Sequence, residues 1–106
     1  MREAGADRHE WETEWQALEP LVVDSPAEAL PEVDDLVERM MVEHGYSVEE
    51  DRVHEAPERE VVAEFLEARR LTRIVESGAD VAPSDIGAAV TGYRNLYEYL
   101  LSSHVS

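Results

Sequence analysis

The stretch SDIGAAVTGYRNLYEYLL, residues 84–101, decides the fold class, because its apolar side chains recur with the period of a helix rather than of a strand. Ile86, Ala89, Val90, Tyr93, Leu96, Tyr97, Leu100 and Leu101 fall on one broad face, and Ser84 stands where an N-cap belongs. A helix is expected from Ser84 to about Ser102. Tyr93 and Tyr97, at i and i+4, lie within the apolar face and belong to a core or an interface, whereas Tyr99 points away from its centre and is open to a partner. Gly87 and Gly92 each cost a helix interior about 1 kcal/mol relative to alanine, so each implies a close neighbour, within the fold or across a dimer.

Working outward, PEREVVAEFLEARRLTRIVESG, residues 57–78, reads as the longest helix, with Pro57 at its first position and Gly78 as a C-cap residue. Val61, Val62, Phe65 and Leu66 define one face and Leu71, Ile74 and Val75 another, so the two ends should meet different neighbours. The short connection to the last helix predicts that these two form an antiparallel hairpin. Before them, Ser25, Pro26 and Glu28 form an N-terminal signature for a short turn ending at Pro31. A second long helix follows, with Val33, Leu36, Val37, Met40, Met41 and His44 on one face and Gly45 as a left-handed C-cap. YSVEEDRVHEA, residues 46–56, reads as a loop or a single turn. A short first helix from about Asp7 to Leu18, capped by Asp7 with Glu10 and closed by Pro20, carries only the narrow stripe Trp11, Trp15 and Leu18.

The expected architecture is therefore all-α: one domain over residues 1–106, a small helical bundle of three long helices plus a short N-terminal one. Residues 1–24 dock on the core as helix and connector. Its 106 residues are enough for one core but near the size at which a second subunit often helps.

Charge is the strongest compositional signal, with a formal net charge of −16, and all nine basic residues are arginine. Residues 1–56 hold 17 acidic and 4 basic side chains, and residues 57–106 hold 8 and 5, so the acidity is concentrated in the first half. Such a surface repels phosphate backbones and anionic lipid, which argues against direct nucleic-acid or membrane binding. It suits halophilic adaptation, since concentrated salt screens the self-repulsion, or a GC-rich genome, ahead of a docking face for a basic protein partner. No apolar run approaches the ~20 residues of a membrane span, and the first residues have no signal-peptide core, so a soluble cytoplasmic protein is expected.

With no cysteine, thiolate chemistry is excluded and a metal would depend on His and carboxylates. His54 with Asp51 at i, i+3 and with Glu58 at i, i+4 are the weak metal candidates, with Glu55 beside them; Pro57 interrupts any helix shared by His54 and Glu58. His9 with Glu10 and Glu12 has no specific ligand spacing, and His44 reads as a structural histidine near a helix end. No nucleophile elbow, phosphate-cradling loop or zinc-protease helix occurs, and no cofactor is implied. Arg69, Arg70 and Arg73 form the one basic cluster, in which Glu67 and Glu76 can pair with Arg70 and Arg73. Arg69 and Arg73 stand where the apolar face of the third helix stops, so at least one is expected to turn inward to a carboxylate on another helix or another subunit. The reading is a non-catalytic interaction or regulatory protein, a homodimer, with Trp11, Trp15, Tyr93, Tyr97, Tyr99, Arg69 and Arg73 as interface candidates. A small metal-binding protein or enzyme completed by a second subunit is the alternative.

Overall fold

The computed structural model describes residues 8–48 and 58–102. These form four α-helices: α1 (Arg8–Asp24), α2 (Pro26–Glu43), α3 (Glu58–Glu76) and α4 (Pro83–Ser102), with no strand among the described residues. The expected Asp7 cap, the Pro57 helix start and most of the loop ending at residue 56 lie outside them. The all-helical expectation holds, but the N-terminal helix is not short. At 17, 18, 19 and 20 residues, the four helices are of similar length.

The difference at α1 comes from a proline that does not end its helix. Pro20 cannot donate to the carbonyl of Gln16, yet both residues are exposed, so water can reach the freed oxygen. Beyond it, Leu21 is half-buried and Val22 buried, extending the stripe of Trp11, Trp15 and Leu18 by another turn. Continued burial outweighs the local penalty, and the helical bonding runs on to Ser25, whose N–H donates to Leu21 O at 2.7 Å.

Pro31 is passed in the same way. Residues 26–30 are the first turns of α2 and not a separate element, because Ala29 and Leu30 are fully buried on the face continued by Val33, Leu36 and Val37. Ser25 does occupy the N-cap position. Its carbonyl accepts from Glu28 and Ala29, both at 3.0 Å, but its hydroxyl forms no cap bond, so the expected capping box is not made.

Helix α2 ends as expected. Gly45 takes φ +89°, the Gly45 N–H donates to Val42 O and the Tyr46 N–H to Met41 O, each at 2.9 Å, giving a Schellman motif. Gly78 closes α3 with φ +87°. The start of α4 lies slightly upstream of Ser84: Ala82 O accepts from Asp85 and Ile86, and Pro83 takes the first helical position, which its fixed φ favours.

Helices α2 and α4 each pack against all three others, so they form the centre of the structure. The shared core includes Leu30, Leu36, Met40, Phe65, Tyr93, Leu96 and Leu100, all at most 2% exposed. Helix α1 joins through Trp15, whose ring stacks on Tyr97 at 4.3 Å and 11°. Gly92 faces Ala68, where an added Cβ would stand 3.7 Å from the alanine Cβ, an ordinary contact; Gly87 faces open space. Neither glycine is required by a close approach within the described fold.

Because Pro20 is exposed and removes one helical donor, Pro20→Ala should raise unfolding stability by about 1–3 kcal/mol in urea titrations. A loss of stability would mean that the proline shapes α1 in a way the packing depends on.

Candidate functional site

The face of α2 that enters the core carries one acid. Asp34 follows Leu30 by four residues and precedes Val37 by three, which places a carboxylate inside an apolar stripe, and its side chain is only 8% exposed. Such a group needs partners, since an unpaired buried charge costs several kcal/mol.

Arg69 of α3 supplies two of the bonds, with Nε donating to Asp34 Oδ2 at 3.0 Å and Nη2 to Oδ1 at 2.6 Å. Nη2 also donates to Glu38, one turn further along α2. These hydrogen bonds, Asp34 first, raise the guanidinium pKa above its ordinary value against the opposing effect of burial. The guanidinium also lies 4.6 Å over the Phe65 ring. Tyr93 of α4 completes the set by donating its hydroxyl to Asp34 Oδ2 at 2.6 Å, and Thr72 Oγ1 stands 2.8 Å from that hydroxyl and 3.0 Å from Ala68 O.

These hydroxyls face three acceptors with two protons. The Tyr93 proton goes to the carboxylate, so the Thr72 proton is shared between Ala68 O and the Tyr93 oxygen. Burial first, and then the hydrogen bond to Asp34, push the Tyr93 pKa well above the usual tyrosine range. Asp34, Arg69, Tyr93 and Thr72 thus tie α2, α3 and α4 together through polar groups inside the core.

The arginine cluster of α3 is therefore divided. Arg69 turns inward to another helix, as expected for one of the pair. Arg73 reaches only Glu76 on its own helix at 3.3 Å, and Arg70 pairs with Glu67 at 2.7 Å. Together they border a groove of about 600 Å³ walled by Val48, Leu66 and Ile74.

A second recess, of about 450 Å³, lies between α1 and α2. Arg39 bridges it, donating to Glu14 Oε1 and Oε2 at 2.7 and 3.1 Å and to Asp35 at 3.0 Å. The Arg39 hydrogen bond holds the Glu14 carboxyl below its ordinary range. Trp11 lies beneath, with the guanidinium 5.8 Å from its ring centroid. The indole N–H of Trp11 is buried without a partner among the described residues, while Trp15 donates its own to Glu19.

Of the interface candidates, Trp11, Trp15, Tyr93 and Tyr97 are buried within the single chain, and Arg69 is committed to its internal carboxylates. Tyr99 and Arg73 remain at the surface, Tyr99 at 43% exposure. Tyr46 lies against Tyr99, and burial together with that hydroxyl contact pushes Tyr46 up to about 12. Asp51, His54 and Glu55 lie outside the described residues, and Glu58, half-buried, begins α3. Among the described residues no group of three metal-ligating side chains comes together.

In the sequence Asp34 stands among many acids, and neither it nor Thr72 carries a motif that marks it. The available signal was an acid three and four residues from apolar positions of one stripe. No family model matches the chain, and neither a curated protein nor a solved structure does.

Tyr93→Phe removes a donor from a buried carboxylate and should cost about 1–3 kcal/mol. Since folding raises the Tyr93 pKa, its contribution is complete below about pH 10 and is lost as pH rises toward the folded value. Unfolding measured from pH 8 to 11 should show an alkaline decline in the wild type that is shallower in Tyr93→Phe; parallel profiles would contradict this.

Proposed function

We propose that the chain is a non-catalytic protein–protein interaction module of a regulatory kind, working as a homodimer in a salt-rich cytoplasm, with α3 and α4 as an antiparallel hairpin. The observation that carries this reading is the outer side of α4. Exposed residues on α2 include Glu28, Glu32, Asp35, Arg39 and Glu43, and those on α3 include Arg59, Glu60, Glu64, Glu67 and Arg70. On α4, Gly87, Ala88, Thr91 and Asn95 are exposed and uncharged, Tyr99 follows on the same flank, and Glu98 beside it brings a charge to the end of that flank.

Two copies that each carry −16 repel one another wherever their carboxylates meet. A helix flank of small residues with few charges is where they approach at least cost, and an exposed tyrosine is a favoured contact there. The internal commitment of Asp34, Arg69 and Tyr93 supports a non-catalytic role, because the carboxylate already accepts three hydrogen bonds.

Sedimentation at micromolar concentration, in about 0.1 M and 2 M KCl, should give a dimer. Thr91→Glu should shift it to monomer by facing like charges across the contact. A clean monomer for the wild type at both salt concentrations contradicts the dimer.

A further inference from the structure

We propose that the cleft between α1 and α2 docks a basic, aliphatic segment of a partner protein. This rests on the interaction-module reading but not on the homodimer. Its floor is apolar, made of Ala17, half-buried Leu18 and Pro31, and its rim is acidic, with Glu14, Glu32 and Asp35. An aliphatic side chain would cover the floor while a neighbouring cation meets the rim.

Arg39 shows in place what that rim accepts. Its guanidinium is held in bidentate fashion by Glu14 and by a further bond to Asp35, so the carboxylates are spaced to grip a planar cation. These pairs are open to exchange: the side chains of Arg39, Glu14 and Asp35 are 45%, 42% and 67% exposed, and pairs so exposed are worth little individually. Glu32 has no basic partner among the described residues and stands ready for an added cation.

The surroundings favour the same sign of partner. Glu10, Asp24, Glu28 and Glu43 are exposed on the same two helices, and the whole chain is strongly negative, so a basic segment is drawn in while nucleic acid and anionic lipid are repelled. The arginine-bordered groove on α3 has no such support, because the strongly negative field of the chain opposes the anion its arginines would take.

The test uses two labelled peptides of equal positive charge, one alternating arginine with leucine and the other arginine with serine, titrated by fluorescence anisotropy in about 0.1 M KCl. The arginine–leucine peptide should bind about tenfold tighter, because only it fills the apolar floor. Combined Glu32→Gln and Asp35→Asn, both surface changes, should weaken it about three- to tenfold, while Glu60→Gln with Glu64→Gln on α3 should leave it unchanged. Equal binding of the two peptides, equal weakening by both variants, or no binding would overturn the proposal. A monomer that discriminates the peptides supports the cleft although the dimer fails; a dimer that does not discriminate them overturns the cleft alone.

Discussion

The buried pair of Asp34 and Arg69 is the constraint on which the arrangement of the helices depends. Placing a carboxylate on the core face of α2 carries a desolvation cost of several kcal/mol, offset only when its lone pairs are taken up with good geometry. Arg69 meets that requirement from α3 and Tyr93 from α4, at 2.6 to 3.0 Å. A slide of α3 by one turn would replace Arg69 with Phe65 or Arg73, and a slide of α4 would carry the Tyr93 hydroxyl away. Apolar packing tolerates several such registers, whereas the polar set favours one.

Around this centre Arg39 and Arg94 repeat the device at the surface, with less energy. Arg39 joins α2 to Glu14 of α1, and Arg94 of α4 lies 3.5 Å from Glu19 of α1 and 5.7 Å from the Trp15 ring. In a chain with 25 acids and nine arginines, each guanidinium that binds across helices also relieves local repulsion among carboxylates. The acids left over face outward on all four helices, and the flank of α4 from Gly87 to Asn95 is the most sparsely charged part of that surface.

Much of the fold was legible because its signals were periodic. The apolar stripe of α4, the rotated faces of α3 and the glycine at the end of α2 each follow from local rules, and the structure meets them at Tyr93, Phe65 and Gly45. The prolines misled, since Pro20 and Pro31 are locally unfavourable but sit in helices whose next turns bury Val22 and Val33. Local rules also overvalued Ser25 and Ser84, whose neighbouring Pro26 and Pro83 already fix the helix starts. Asp34 was hidden by its own abundance: among so many surface acids, the one facing inward differs only in its spacing from Leu30 and Val37. Arg69 was legible because arginine was scarce and stood where an apolar residue would have continued the face.

The most direct test of this account is a double-mutant cycle at the central pair, with unfolding free energies of wild type, Asp34→Leu, Arg69→Met and the combination. Each single change leaves a buried charge with its main partner gone and should cost about 3–5 kcal/mol, while the double variant, with both charges replaced, should be more stable than either single one. Costs that simply add in the double variant would contradict the claim that Asp34 and Arg69 are coupled and that their pairing sets the register of α2 and α3.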